Sequence, residues 1–262
     1  MFSRYIFLIQ ANTIVWLLER QSSLRPNLWV NLLLRHLVHI ILHTKASVAE
    51  SVLQSHANLA ERARTVAGIA EGFLEQDWAF RILSHKKPEV ALSQFPYQSC
   101  YQSLAETELH QICERSPNAN SVLFLGGGSL PLSAILLAKS GYKLTVLDHD
   151  ATAVTLSEQV IKKLGLDHLI DIRLSSAEQF NHYNEFDAII VGALVGETIE
   201  EKTELISHIT KMAKQGCPIL CRSVDGLCAF LYLSVPCLHN QVTHVPAIHG
   251  KHINSLVIYQ TI

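Results

Sequence analysis

From Ser121 onward, short apolar runs alternate with amphipathic stretches, and no other feature of the chain limits its fold as tightly. "SVLFLG" (121–126), "YKLTVLD" (142–148), "LIDIRL" (169–174), "FDAIIVG" (186–192) and "CPILCR" (217–222) are buried-strand runs. Between them, "LPLSAILLAKS", "DATAVTLSEQVIKKLG" and "ETIEEKTELISHITKMAKQ" carry helical spacing. Strands separated by helices pair in parallel through right-handed crossovers, and the helices cover both faces of the sheet. "NQVTHVP" and "INSLVIYQ" are joined by a loop instead, which predicts an antiparallel hairpin closing one edge. The expectation is an open α/β, Rossmann-like domain over residues 96–262.

Residues 1–95 have a different texture. "NLWVNLLLRHLVHIILHT" (27–44) follows Pro26, a favourable helix opener, and residues 47–83 repeat apolar positions at three- and four-residue spacings. This predicts an N-terminal bundle of about three or four helices. Pro88 and Pro96 then bracket a linker. The opening run "MFSRYIFLIQANTIVWLLER" is interrupted by Arg4, Gln10 and Asn12 before it reaches the roughly 20 apolar residues a membrane span needs. It has no small-residue cleavage site, so it reads as an amphipathic helix of a protein that does not enter the membrane. A net charge of −2 with no basic stripe argues against nucleic acid as a partner. The six cysteines form no CxxC pair and read as reduced thiols of a cytoplasmic protein, with Cys217 and Cys221 in the core. His36, His39 and His43 share a helix face, which reads as a packed or wetted face before it reads as a metal site.

"GGGSLPL" ends the first strand run. In open α/β sheets the ligand sits at the carboxyl ends of the strands, and glycines there let backbone N–H groups come close to it. Asp148 ends the second strand 20 residues after Gly128, where a carboxylate can take both ribose hydroxyls. Pro131 removes a backbone donor that a diphosphate would use, and no Lys-Ser/Thr pair follows the glycines. A nucleoside without phosphates fits these residues, and S-adenosylmethionine is the common one.

Several longer segments resemble the nicotianamine synthases: "LFLGGGSLPLSAILLAKSG", "LDHDATA", "FDAIIVGALVGETIEEKTELISHI", "CRSVDGLCAFLY" and "INSLVI". "FPYQSCYQSLAETEL" (95–109) is similar to that family's FPYYxNYxxL segment, with Gln98 and Cys100 in place of its second tyrosine and its asparagine. The resemblance spans about Glu71 to the C-terminus. It implies a methyltransferase-type fold that moves the 3-amino-3-carboxypropyl (aminobutyrate) chain of S-adenosylmethionine onto an amine and releases 5′-methylthioadenosine. Plant and archaeal members repeat the step. Shorter bacterial members, of the staphylopine type, add one unit to histidine and pass the product to an opine-type dehydrogenase. The two departures and the shorter chain favour that single-addition branch. A conventional methyltransferase shares the fold and cofactor, but the FPY and ALVG segments point away from it; a non-catalytic adenosyl sensor, which would bind the cofactor and consume none, stays open. A homodimer is an open option.

The resemblance and the residues together suggest a site. Glu71, Glu75 and Trp78 fall on one helix face, which is a substrate face or a solvated one with paired acids; Glu71 matches the glutamate of the family's EGxLE segment, and the resemblance implies a carboxylate that holds and deprotonates the acceptor amine. Tyr97 and Tyr101 are candidates to orient the amine or the cofactor carboxylate, or are simple core tyrosines. Gly126, Gly127, Gly128 and Ser129 are expected at the methionine and ribose end, Asp148 on the ribose, and His149 and Asp150 beside the adenine or ribose. Ala177 and Glu178 follow the third strand as an adenine-reading pair, and Ala193 and Leu194 follow the fourth. Arg222 ends the fifth strand, either as a fork for a substrate carboxylate or as one half of an interdomain ion pair.

Overall fold

The parallel strands form as the alternation predicts: β1 (Ser121–Leu125), β2 (Lys143–Asp148), β3 (Ile170–Leu174), β4 (Ala188–Val191) and β5 (Pro218–Ser223). The computed structural model describes residues 2–45, 48–235, 242–248 and 251–261. β6 (Val242–Val245) and β7 (Ser255–Gln260) complete a seven-stranded sheet of order β3-β2-β1-β4-β5-β7-β6. β7 runs antiparallel to both neighbours, so the expected hairpin closes the edge. Of "NQVTHVP", the residues 240–241 lie outside the described ones. β1 pairs with β2 on one side and β4 on the other, so the chain reverses its direction of travel at β1. Leu125 stands opposite Leu147 and Val191, which brings three strand ends level at that switch point.

The helices between strands follow their end signals. α7 (Leu132–Lys139) opens directly after Pro131. α8 (Ala151–Lys163) is capped by Asp150, whose Oδ1 accepts from Thr152 N at 2.8 Å, and ends on Lys162 and Lys163. α9 (Ile199–Met212) is capped by Thr198, whose Oγ1 accepts from Glu201 N at 3.1 Å. Leu205, Ile206 and Ile209 of α9 pack on Leu123, Ile189, Ile219 and Val257 in one buried cluster. Below the sheet, at the amino ends of the strands, Asp187 accepts from the Asn120 and Ser121 amides, each at 2.8 Å.

The chain divides into two compact units, Met1–Leu74 with Val224–Ser234, and Glu75–Ser223 with Val235–Ile262. In the first, α1 (Phe2–Glu19) and α2 (Leu28–His43) are followed by α3 (Ala49–Ser55) and the greater part of α4 (Ala57–Ser84). The helical run expected over 47–83 breaks at His56, which leaves helical geometry at φ −136° and ψ 43°. Segment 224–234 belongs with these helices: Phe230 packs edge-on against Phe7 at 5.2 Å, and Arg64 donates to the Ala229 carbonyl at 2.7 Å. His39 and His43 stack at 4.0 Å.

In the second unit, the linker expected between Pro88 and Pro96 is instead a short helix, α5 (Pro88–Ser93), opened by its proline. α6 (Gln98–Arg115) follows it. The packing therefore parts the chain inside α4, whereas the sequence reading placed a single boundary at residue 95. The reason is that the last turns of α4 pack with this unit, where Trp78 meets Phe95 edge-on at 5.8 Å. No helix among the described residues is long and apolar enough to cross a membrane.

Candidate active site

Gly126 and Gly128 take φ values of +80° and +64°, the left-handed region that favours glycine. The turn they make is tied to the strand beside it. Gly126 N and Gly127 N both reach the Leu147 carbonyl, at 2.8 and 3.2 Å. Gly128 N donates to Asp148 Oδ2 at 2.8 Å, and Asp150 N donates to Oδ1 at 2.9 Å. One carboxylate thus fixes the turns after β1 and β2 together. Each of its oxygens has a second lone-pair direction, which suits it to a ribose diol.

All three glycines are also approached by a side chain. A Cβ on Gly126 would lie 2.5 Å from Val195 Cγ2, on Gly127 2.3 Å from Val146 Cγ1, and on Gly128 2.2 Å from Glu75 Oε2. Glu75 therefore rests against the glycine turn, and Val195 brings the loop after β4 onto it. That loop is anchored where Gly192 N donates to the Leu125 carbonyl at 2.9 Å. Ser129 is buried, Ala193 half-buried and Leu194 exposed at the same strand ends.

Of the other cofactor candidates, His149 and Glu178 are exposed, and Ala177 is half-buried with its carbonyl accepting from the Tyr183 hydroxyl. Asp150 uses one oxygen as the cap of α8. Tyr97 and Tyr101 both surround Phe95, with ring centroids at 6.0 and 6.2 Å, so the FPY segment builds an aromatic cluster with Trp78.

Arg222 requires a correction. Its Nε and Nη2 meet Glu108 Oε1 and Oε2 at 2.8 and 3.1 Å, and Nη2 also donates to Ser133 Oγ at 2.6 Å. Both residues are buried, and both lie in the second unit. Nε and Nη2 are thus engaged by protein partners, and the pair lies within one unit, so it is not interdomain. Tyr101 lies 5.9 Å from the guanidinium carbon.

Glu71 belongs to the first unit, where its Oε2 accepts from the Tyr232 hydroxyl at 2.8 Å. Tyr232 was not singled out from the sequence, although it closes the quoted "CRSVDGLCAFLY" segment. Lys202 was missed as well. It is fully buried, donates to the Ala193 carbonyl at 2.8 Å, and burial pushes its ammonium down to about 8. Written as "EEK" near a helix start, it reads as solvated, and only its place inside the ALVG segment hinted otherwise.

A family model described as nicotianamine synthase protein matches residues 7–261. Nicotianamine synthase 3 of Arabidopsis thaliana is 30% identical, over 84% of this chain and 72% of its own length. Nicotianamine synthase of Solanum lycopersicum is 26% identical, over 82% of this chain and 70% of its own. The crystal structure of MtNAS in complex with MTA and tNA shares the fold at a TM-score of 0.86 and 22% identity, covering 98% of this chain and 99% of that one.

Proposed function

Because the chain belongs to the nicotianamine synthase family, we propose that it adds one aminobutyrate unit to the α-amine of histidine, in the synthesis of an opine-type metallophore. The coarser activity follows from the family: the enzyme is an aminobutanoyltransferase that uses S-adenosylmethionine and releases 5′-methylthioadenosine. The amine lone pair attacks the chain carbon bound to sulfur, the new N–C bond forms as the C–S bond breaks, and sulfur keeps the electron pair. The amine proton leaves to a base. Three carbons on the sulfonium are electrophilic, so the protein's main task is to aim one of them at the nucleophile, about 3 Å away.

In this reading Gly126, Gly127, Gly128, Ser129 and Asp148 hold the methionine and ribose end of the cofactor. Ala177, Glu178, Ala193 and Leu194 line its nucleoside end, with His149 and Asp150 beside them. Glu71 holds and deprotonates the acceptor amine, Glu75 helps to hold it, and Tyr97 and Tyr101 orient it. The observation that carries the single-addition acceptor is Gln98, which stands where the family pattern has a tyrosine. Its Oε1 is buried with no hydrogen-bond partner among the described residues. A buried acceptor oxygen of that kind is costly unless a donor arrives, so Gln98 asks for a hydrogen-bond donor where the family's tyrosine would itself donate. Cytoplasmic location and hand-over of the product to an opine-type dehydrogenase complete the proposal.

The test is to incubate the enzyme with labelled S-adenosylmethionine and pooled amino acids, then weigh the products. Methylthioadenosine and histidine carrying one aminobutyrate unit are expected. A second unit on the product means the iterative nicotianamine reaction, and S-adenosylhomocysteine as the main nucleoside overturns the transfer altogether.

A further inference from the structure

Lys202 serves no step described above, yet it is the most unusual burial in the second unit. A fully buried ammonium whose hydrogen bond goes to a neutral carbonyl gains little stability over an apolar side chain of the same length. Its surroundings are nonetheless built to hold it there. Gly196, at φ +78°, folds the loop back so closely that a Cβ would lie 3.2 Å from the Lys202 backbone. Glu197 N donates to Glu201 Oε2 at 2.8 Å, which closes the first turn of α9 over the same loop. The Cys221 thiol of β5 acts on Lys202 through its field, and burial pushes that thiol up to about 12, so it is neutral.

The consequence lies in the peptide that Lys202 grips. All described peptides are trans, so the carbonyl of one residue and the N–H of the next point in opposite directions. Drawing the Ala193 carbonyl inward onto Nζ directs the Leu194 N–H away from the interior, and Leu194 as a residue is 51% exposed. The loop itself is locked to the glycine turn through Val195 and Gly126. We propose that Lys202 is a positioning residue for the cofactor, which orients the 193–194 peptide so that the Leu194 N–H donates to an acceptor atom of S-adenosylmethionine. The proposal rests on Ala193 and Leu194 lining the cofactor pocket. It is independent of the acceptor, so a failure to use histidine leaves it standing.

The experiment compares Lys202→Met and Lys202→Arg with the wild-type chain, titrating each with S-adenosylmethionine in a calorimeter. Methionine removes the donor and keeps the bulk, so affinity should fall about tenfold, the worth of one oriented hydrogen bond. Arginine keeps a donor and should stay within about threefold. A lysine that served only packing would give the reverse pattern, with methionine the better tolerated. In the ¹⁵N-labelled wild-type chain the Leu194 amide should shift on addition of the cofactor. A folded Lys202→Met chain with wild-type affinity overturns the proposal. Should that variant not fold, an unmoved Leu194 amide in the wild type overturns it equally.

Discussion

Asp148 has two tasks that a single substitution separates from each other poorly but from everything else well. It holds the Gly128 and Asp150 amides at 2.8 and 2.9 Å while keeping lone pairs for a ribose. Asp148→Ala therefore loosens both turns and, with the cofactor held as proposed, takes away its ribose partner, so S-adenosylmethionine binding should weaken by about 2–3 kcal/mol. Calorimetry on a folded variant checks this, and unchanged affinity removes Asp148 from the site. Lys202 offers a test in the opposite sense. Its ammonium titrates near 8 in the fold against about 10.5 in the unfolded chain. Between those values the unfolded state binds more protons, so stability contributed at this position rises with pH across that window and is lost below it. Lys202→Met should flatten the rise in melting temperature between about pH 8 and 10.5 and melt higher than wild type at pH 7. The tie between Asp148 and the glycine turn was legible because a strand end, glycines and an acid fall at a fixed spacing. Lys202 was not, since nothing local distinguishes a lysine that turns inward from one that stays in water.

At the scale of elements, the alternation of runs contained the sheet, down to the antiparallel edge, because strand–helix order and crossover handedness leave few topologies. What joins α6 to the sheet was not legible. Glu108 looks like one more acid in "AETELHQ", and Arg222 reads as an open fork or as half of an ion pair whose partner the sequence does not name. Their pairing across 114 residues is a tertiary fact. Glu108 is fully buried, and Arg222 also holds Ser133 of α7, so the pair links two helices to β5. Glu108→Leu leaves a buried guanidinium without its counter-ion and should cost about 3–5 kcal/mol in urea unfolding. Glu108→Leu with Arg222→Met should recover most of that, because an apolar pair removes the uncompensated charge. If the double variant is no more stable than the single one, the ion pair is not what the elements depend on.

Across the whole molecule, the chain passes between the two units at residues 74/75, 223/224 and 234/235. The last two crossings escaped the sequence reading because eleven residues after a strand carry no periodicity of their own. They bring Tyr232 to Glu71, the proposed base, while Glu75 belongs with Gly128 in the other unit. Two carboxylates one helical turn apart are thus in different settings, and their variants should differ in kind. Glu71→Gln keeps shape and an acceptor oxygen but takes no proton. It should lower the single-turnover rate about 10²-fold, leave S-adenosylmethionine affinity nearly intact, and recover as pH rises and free amine becomes commoner. Glu75→Gln alters the group lying on the glycine turn, so cofactor affinity should change with it. Single-turnover rates across pH at saturating histidine, beside cofactor titrations, separate the cases. A loss without pH recovery makes Glu71 an anchor for the acceptor, and histidine affinity should then fall instead. If the pH-recovered loss belongs to Glu75→Gln, the base is the carboxylate on the glycine turn. Wild-type turnover in both variants ends the case for either.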